Sequence, residues 1–492
     1  MHGNYFLSPA MNQVADGISC EVPSQKSATR PPLPPPCEGG EMCLEPSRIP
    51  SGSVNSSRRT AQRVVVSLVL ALCTMAPLRA DDWPQWGGPK RDIVWRETGI
   101  VVTLPTKGLL PRVWATPIGE GYAGPAVASG KVYVMDRVRS EGVERVLCLD
   151  AADGKILWKH PYRVQYTVAY DAGPRMTPVI DGGKVYTIGA MGDMFCFEAD
   201  SGKVVWQKNF VDDFQTRIPQ WGMVASPLVE GNQLITLVGG EDQSLVVSFD
   251  KATGKELWRA LSDSEPGYCP PMLFTFDGTP QVIVWHPHAV SSLNPASGEV
   301  YWEIPFQVKA GLCIPAPRQI GNRLFLTSFY NGPRMIEVGP GGKSARIVWQ
   351  GKSNSEQPER TDGLHSIMPT PWVTESHIYG ICSYGQLRCL DAKTGKRLWE
   401  TREATGDGRW WNAFLIPHED RFFIHNEQGE LIIAELSPAG YKELSRAKLV
   451  EPTRTTDAPG RKTIWSHPAF AMQSVFARND KEIVRVNLAR PK

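Results

Sequence analysis

The chain has 492 residues, of which 41% are apolar and 21% are charged, with a formal net charge of +2. This balance provides no basic patch or tail of the kind that binds nucleic acid, so no nucleic-acid partner is expected. The length would hold two or three ordinary domains, and an internal repeat decides how the chain is divided.

The first 57 residues are rich in Pro, Ser, Gly and charged side chains, most densely in the run PPLPPP at residues 31–36. A segment of this composition cannot bury a hydrophobic core. We therefore interpret residues 1–57 as a disordered extension or as the result of a translation start assigned too early.

A signal peptide is predicted over residues 58–80. Arg58, Arg59 and Arg63 precede an apolar run that ends near Pro77, and Ala80 provides a cleavage site before Asp81. The apolar run is too short for an ordinary membrane span. The mature chain, residues 81–492, is therefore expected in the periplasm or outside the cell, without a transmembrane segment.

One turn recurs along the mature chain. A residue with a side-chain oxygen is followed four residues later by Gly and another four later by Trp. The oxygen can cap the turn and the glycine can adopt the left-handed conformation that a hairpin requires. The copies are Asp150…Gly154…Trp158, Glu198…Gly202…Trp206, Asp250…Gly254…Trp258, Asn294…Gly298…Trp302 and Asp391…Gly395…Trp399.

Each repeat contains four short apolar segments in about 45–55 residues, the size of a propeller blade. First strands are expected to start near residues 125, 178, 227, 271, 317, 371, 412 and 468. The pattern predicts an all-β, eight-bladed propeller of four-stranded antiparallel blades. We expect residues 112–118 to supply the fourth strand of the last blade and so to close the ring. Each repeated Trp is expected to pack on the neighbouring blade and to donate its N–H to a backbone carbonyl.

The repeated pattern, roughly Asp-Ala-x-Thr/Ser-Gly-Lys-x-x-Trp, resembles the tryptophan-docking motif of the PQQ-like, quinoprotein-type eight-bladed propellers. The resemblance covers residues 83 to 488, and the run DWPQWGGP at residues 82–89 is similar to the opening of exported members. It implies two kinds of function. The family includes alcohol dehydrogenases that use pyrroloquinoline quinone (PQQ) with Ca²⁺, and cofactor-free scaffolds such as the lipoprotein subunit of the outer-membrane β-barrel assembly machine.

The cysteine pattern bears on the choice between these functions. The dehydrogenases carry a vicinal Cys-Cys disulfide that stacks on the quinone, and no two cysteines are adjacent in this sequence. A Cys-x-x-Cys-His motif for a c-type haem is also missing from it. We therefore expect no cofactor, and keep PQQ with Ca²⁺ as the alternative.

A ligand site is predicted where the connectors into the first strands converge on the channel. These connectors are rich in aromatic side chains, which suit a small molecule, a sugar or a peptide; plugging of the channel by the same side chains is the other interpretation. No residue is assigned a catalytic role. The candidate ligand-binding residues are Tyr122, Arg175, Trp221, Tyr268, His365, Trp411, Asn412, Trp465 and His467.

The sequence favours an exported binding or scaffold protein that uses this connector face for a ligand at the channel mouth or for a protein partner. The alternative is a PQQ- or quinone-dependent, alcohol dehydrogenase-like oxidoreductase. A third class, an enzyme acting on a polysaccharide or another polymer, stays open.

Two further features were weighed. His286 and His288 have metal-like spacing, but without acidic neighbours in the sequence they are interpreted as exposed loop residues, and no metal is expected. Cys269 and Cys313 occupy equivalent connectors of adjacent blades, so they are either a disulfide that joins the blades or two buried free thiols, the second being the default.

Overall fold

The computed structural model describes residues 81–455 and 461–491. The expected extension and signal peptide lie outside the described residues. The described chain is mostly β-strand, with one α-helix, α1 (Phe210–Phe214), and four 3-10 turns. The 3-10 turns are Arg139–Glu141, Lys309–Gly311, Pro340–Gly342 and Pro358–Arg360.

Eight four-stranded antiparallel sheets form the blades of a propeller. The first strand of the chain is β1 (Arg112–Pro117). Blade one comprises β2 (Ala126–Ala128), β3 (Lys131–Val138), β4 (Val143–Asp150) and β5 (Ile156–Arg163), and blade two comprises β6 (Val179–Asp181), β7 (Lys184–Ile188), β8 (Asp193–Glu198) and β9 (Val204–Asn209). Blade three comprises β10 (Leu228–Glu230), β11 (Gln233–Leu237), β12 (Val246–Asp250) and β13 (Glu256–Ala260), and blade four comprises β14 (Met272–Phe276), β15 (Thr279–Trp285), β16 (Ala289–Leu293) and β17 (Val300–Pro305).

The second half of the ring repeats this arrangement, with a two-stranded ribbon, β30 and β31, inserted before the last blade. Blade five comprises β18 (Arg318–Ile320), β19 (Arg323–Ser328), β20 (Gly332–Val338) and β21 (Ala345–Gln350), and blade six comprises β22 (Trp372–Val373), β23 (His377–Ile381), β24 (Leu387–Asp391) and β25 (Arg397–Thr401). Blade seven comprises β26 (Ala413–His418), β27 (Arg421–Asn426), β28 (Glu430–Ser437) and β29 (Gly440–Lys448), and the ribbon comprises β30 (Arg454–Thr455) and β31 (Lys462–Thr463). Blade eight comprises β32 (Ala469–Ala471), β33 (Ser474–Arg478) and β34 (Glu482–Asn487), together with β1.

The predicted blade starts are confirmed. The innermost strands begin at residues 126, 179, 228, 272, 318, 372, 413 and 469, each one residue after the predicted position. A proline or a small residue at this point is physically reasonable, because the innermost strand is an edge strand and its first N–H need not join the sheet.

The ring is closed by strands from both ends of the propeller, as predicted. β1 pairs with β34, in a register that places Arg112 opposite Val486 and Pro117 opposite Glu482. The Arg112 guanidinium also forms an ion pair with Glu482 at 2.9 Å. The eighth blade is therefore a composite of two segments that are distant in the sequence.

Most of the repeated tryptophans join neighbouring blades, as predicted, but Trp302 differs, because its indole N–H donates to Oε1 of Gln281 in its own blade, at 3.1 Å. Trp206 of blade two donates its indole N–H to the Lys251 carbonyl of blade three, at 3.1 Å. Its ring covers Gly254, where an added Cβ would lie 2.7 Å from the indole. The tryptophans that make this contact with the next blade, called the docking tryptophans below, are Trp114, Trp158, Trp206, Trp258 and Trp349.

The segment before β1 crosses the central channel. Trp83 pairs with Val127 of blade one, and the Ile180 N–H of blade two donates to Pro84. On the other side of the channel, Trp95 donates its backbone N–H to the Pro417 carbonyl of blade seven. The sequence pattern identified the start of this segment only as a family-like opening, whereas the structure makes the segment a plug, called the channel plug below (residues 83–97).

Candidate ligand-binding site at the channel mouth

A cavity of about 240 Å³ opens at the connector face of the ring. Its floor is Trp86 of the channel plug, and its walls are mostly connectors that lead into the inner strands. The cavity is lined chiefly by aromatic rings, which stack on planar or apolar groups. These rings, called the cavity aromatics below, are Trp86, Tyr122, Tyr170, Trp221, Tyr268, Tyr330, Trp410 and Trp465.

Most of the residues proposed from the sequence lie in this cavity. The six that line it are Tyr122, Arg175, Trp221, Tyr268, Trp465 and His467. Their position at one cavity agrees with convergence of the connectors, and their role in binding a ligand stays a prediction.

The other three proposed residues lie behind the wall. His365 is buried, with Nδ1 3.2 Å from the Phe329 carbonyl, and Ile367 and Met368 line the cavity in its place. Trp411 is only 5% exposed and packs on the backbone of Gly406.

Asn412 is fully buried and donates its side-chain N–H to the Trp410 carbonyl at 2.6 Å. The cavity residue of this connector is therefore Trp410, which the sequence reasoning passed over in favour of its neighbour. Tyr170 and Tyr330 were missed as well, and Trp86 was noticed only as part of a motif. Their aromatic character was the one signal that could have found them.

Backbone strain accompanies three of the lining residues. Tyr170, Ala310 and Trp410 have φ values of 55°, 57° and 64°, in the left-handed region that side chains other than glycine seldom adopt. Such conformations cost free energy and occur often at ligand sites, where the surrounding structure fixes them. At Trp410 the conformation separates the orientations of two adjacent tryptophans, so that one faces the cavity and the other faces the interior.

The floor of the cavity rests on a neutral histidine. Trp86 donates its indole N–H to Nε2 of His467 at 3.3 Å, which places the imidazole proton on Nδ1. The ring centroids of His467 and Phe414 are 4.2 Å apart. Burial lowers the pKa of His467 to about 4, so the imidazole is an acceptor at neutral pH.

Trp465 forms part of the wall and is held by a carboxyl group. Its ring lies between Tyr122 and Tyr170, with centroid distances of 6.4 and 5.9 Å. Its indole N–H donates to Oε2 of Glu427 at 3.1 Å. Glu427 is buried and is paired with Arg461, and burial raises the pKa of its carboxyl to about 7.

Polar groups in the wall are few, and those of Arg175, Ser226 and Thr370 already have partners. The Ser226 hydroxyl donates to the Thr177 carbonyl at 3.1 Å, and the Thr370 hydroxyl accepts from the Ala316 N–H at 3.0 Å. In contrast, the O–H of the buried Tyr268 has no acceptor among the described residues, although the Trp221 backbone N–H interacts with its oxygen. The cavity is therefore suited to an apolar or aromatic group that makes few hydrogen bonds.

The histidine pair has an acidic partner that the sequence did not reveal. Nδ1 of His288 lies 2.6 Å from Oδ1 of Asp263, and Nδ1 of His286 bonds the other carboxylate oxygen. The interpretation of both histidines as exposed holds for His288 and is wrong for His286, whose side chain is only 5% exposed. Within residues 81–455 and 461–491, no group of three or more His, Cys, Asp or Glu side chains is arranged to hold a metal ion.

Cys269 and Cys313 are buried free thiols, which corresponds to the default expectation rather than to a disulfide. The Sγ atom of Cys313 lies against Gly267, where an added Cβ would be 2.3 Å away. Burial raises the pKa of both thiols above the usual range, to about 12 for Cys313. They fill space between blades four and five.

The eight four-stranded blades and the docking tryptophans define a PQQ-like repeat propeller. The sequence profile of one such family, described as "Outer membrane protein assembly factor BamB", matches residues 142–401 and 288–492. These two matches together cover more than half of the chain. The chain belongs to this family.

Two curated relatives show the range of functions associated with the fold. The chain is 26% identical over 189 residues to the quinohemoprotein alcohol dehydrogenase ADH IIB of Pseudomonas putida. The matched segment covers 37% of this chain but only 24% of that protein. The chain is 23% identical over 299 residues to the outer membrane protein assembly factor BamB of Yersinia pestis, covering 58% of this chain and 68% of the relative.

Among solved structures, BamB from Moraxella catarrhalis matches 78% of this chain and 99% of its own, at 15% identity and a TM-score of 0.53. At that identity the likeness concerns the fold alone. Among residues 81–455 and 461–491, none of the helices combines the length and the apolar character needed to cross a membrane.

Proposed function

We propose that this protein is an exported binding or scaffold module and that the cavity at its channel mouth is the binding site. One observation carries the proposal: connectors from several blades and the channel plug bring eight aromatic rings to a single cavity, with strained backbone at three of its lining residues. Rings that served only to fill the channel would be expected to pack on each other and to leave no such space.

The residues present do not fit the calcium-bound quinone of the dehydrogenases. Ca²⁺ takes several oxygen ligands, mostly from carboxylate and amide side chains. The lining of the cavity contains no Asp, Glu, Asn or Gln. The two cysteines nearest in the fold, Cys269 and Cys313, are not adjacent in sequence and are absent from the lining. The donor set therefore supports binding rather than quinone chemistry.

The chemistry of the wall also narrows the ligand. A sugar requires many hydrogen bonds, and the described polar groups of the wall are mostly committed to the protein itself. An aromatic or apolar group fits better, either as a small molecule or as a side chain of a peptide or protein partner. The Yersinia pestis relative is an outer membrane protein assembly factor, which supports a protein partner and a location outside the cytoplasm for this chain too.

The experiment is a binding screen on the mature chain, read by tryptophan fluorescence and by calorimetry. The probes are indole, N-acetyltryptophanamide, a tryptophan-containing peptide, maltose, and PQQ with Ca²⁺. We expect the three indole probes to bind. Trp410→Ala should lower their affinity by about tenfold or more, as expected for a ring that contacts a ligand.

The matched control is Trp399→Phe, because Trp399 is on the outer strand of blade six and bonds the Ser437 carbonyl. It should leave the affinities unchanged. Failure of every indole probe to bind would refute the proposed site. Tight binding of PQQ that depends on Ca²⁺ would favour the oxidoreductase instead.

A further inference from the structure

The lining of the cavity has one permanently charged side chain, Arg175, and no acidic side chain. Its guanidinium donates only to backbone carbonyls: to Gly173 at 2.5 Å, Ala169 at 2.8 Å and Tyr170 at 2.6 Å. No carboxylate of the described chain lies within ion-pair distance of it. Arg175 is therefore a cation without an anionic partner in the wall of an apolar cavity.

The acidic groups around Arg175 are engaged elsewhere. Asp171, four residues earlier, pairs with Arg139 at 2.6 Å and with Arg137 at 3.4 Å. Glu144 acts on Arg175 only at a distance, since its oxygens accept hydrogen bonds from Tyr162, Tyr166 and the Ala190 N–H.

The other two arginines near the mouth differ in this respect. Arg454 is paired with Asp480, and Arg409 with Glu356 at 3.3 Å. Removing a cation from water without a counter-charge costs free energy, and this burial lowers the pKa of Arg175. A ligand carboxylate at this position would compensate the charge.

A second donor accompanies this cation. The Tyr268 hydroxyl is buried in the cavity wall; the Trp221 backbone N–H interacts with its oxygen, and its own O–H has no acceptor among the described residues. Burial and the nearby Glu265 carboxylate raise the pKa of Tyr268, and the positive charge of Arg175 acts in the opposite direction. Trp221 lines the cavity beside the Tyr268 ring, at a centroid distance of 5.6 Å.

We propose that the cavity selects an aromatic carboxylate of one or two rings, and that Arg175 is the residue that recognises the carboxylate. The ring stacks among the cavity aromatics, the carboxylate faces Arg175, and Tyr268 is available to donate a further hydrogen bond. A cavity of about 240 Å³ lies below the usual range for drug-sized ligands, which favours the small ring system. This inference rests on the proposed function, because it names the ligand class of the same site.

The test compares two probes that share a ring and differ in charge, 2-naphthoate and 2-naphthamide, by calorimetry with the mature chain at pH 7. We expect the wild type to bind 2-naphthoate at least about tenfold more tightly than 2-naphthamide, because the carboxylate and the guanidinium form a charge-assisted pair. In Arg175→Gln the preference should be lost, so that the ratio of the two affinities is about one. The affinity for 2-naphthamide should stay within about twofold of the wild-type value, because stacking is retained.

Two variants control for the fold. Arg163→Gln changes an exposed arginine at the end of β5 and should keep the full preference. Arg175→Lys retains the charge without the planar fork, and should keep part of the preference. Near-UV circular dichroism and the melting temperature report whether each variant is folded. If Arg175→Gln does not fold, Arg175→Lys serves as the test instead. A full preference of Arg175→Lys for 2-naphthoate would then contradict the role of the guanidinium.

The outcomes separate the two proposals. If wild type binds both probes with the same affinity, or folded Arg175→Gln keeps the preference, the selection of a carboxylate is refuted and the binding site survives. If neither naphthyl probe binds, the selection of an aromatic carboxylate is refuted, and the indole probes decide the proposed function: it survives if they bind and is refuted if they do not.

Discussion

The docking tryptophans and the cavity aromatics are made of similar rings, and the structure uses them in opposite ways. Each docking tryptophan covers a glycine turn of the next blade and donates its N–H to a backbone carbonyl. Among the cavity rings, Trp86 and Trp465 donate to the titratable side chains of His467 and Glu427. The indole nitrogens of the docking tryptophans are thus bonded to carbonyls, which keep their charge state at any pH, whereas those of Trp86 and Trp465 are bonded to titratable side chains.

The comparison shows that aromatic content alone does not distinguish a structural ring from a binding ring. What distinguishes them is the partner of the polar atom and the conformation of the backbone. The docking tryptophans lie on extended outer strands, whereas Tyr170 and Trp410 have left-handed backbone conformations. The four predictions below test this distinction, in order of decreasing effect.

The largest effect is expected from Trp258→Ala. The Trp258 side chain is 8% exposed and donates to the Pro295 carbonyl of the next blade at 3.1 Å. Loss of such a buried ring should lower the free energy of unfolding by about 3–5 kcal/mol, measured by urea denaturation. Lys255→Ala, on the exposed turn of the same blade, should change it by no more than about 0.5 kcal/mol. Equal midpoints in the two variants would contradict the docking role.

A smaller loss is expected from Gly254→Ala. The new Cβ would lie 2.7 Å from the Trp206 ring, at a φ of +71°. Strain and collision together should cost about 2–3 kcal/mol. Gly130→Ala has a similar φ of +75° with no atom within 4 Å, so it isolates the backbone strain and should cost about 1 kcal/mol. If both variants lost the same stability, the contact with the ring would carry no free energy.

A pH-dependent effect is expected from Glu427, because burial raises the pKa of its carboxyl in the folded protein from the usual 4.5 to about 7. The folded protein keeps a proton that the unfolded chain releases, so this contribution is present below about pH 4.5 and is lost as the pH rises through 7. The stability of wild type relative to Glu427→Gln should therefore fall by about 1–3 kcal/mol between pH 5 and pH 8.

The low pKa values of His425 and His467, both about 4, act in the opposite direction, but they are common to the two proteins and cancel in the comparison. Thermal unfolding at a series of pH values measures the difference. A constant difference between wild type and Glu427→Gln across this range would show that the folded carboxyl titrates normally.

The smallest effect on stability is expected at a cavity ring. Trp221 is partly buried and lines the cavity. Trp221→Ala should change the free energy of unfolding by less than about 1 kcal/mol while weakening an aromatic probe by about tenfold. A large loss of stability without any change in binding would place Trp221 with the docking set.

The sequence was sufficient to predict the blades because strands follow rules of short range. Alternation of apolar residues, a proline at the inner edge and a glycine turn before each Trp located every first strand to within one residue. Connectors have no such period. Two adjacent tryptophans, Trp410 and Trp411, are equivalent in the sequence, and the φ of +64° at Trp410 decides which one reaches the cavity.

Contacts between segments that are distant in the sequence could not be predicted from it either. Asp263 bonds His286 and His288 from a loop more than 20 residues earlier, so local spacing gave no sign of an acidic partner. The channel plug was missed for the same reason. Arg91 donates to the carbonyls of Ser226, Pro227 and Pro271, and no periodic pattern relates that arginine to blades three and four.

The composite eighth blade has a consequence for folding kinetics. β1 can acquire its partner only when β34 is available, because Arg112 is opposite Val486. The pairing therefore requires closure of a loop that spans nearly the whole propeller, and contacts of such long sequence separation slow folding. Blades one to seven are each local in sequence and can form as hairpins. Completion of the ring is thus the expected rate-limiting step, and a cut between β33 and β34 should slow refolding more than a cut in any single blade turn.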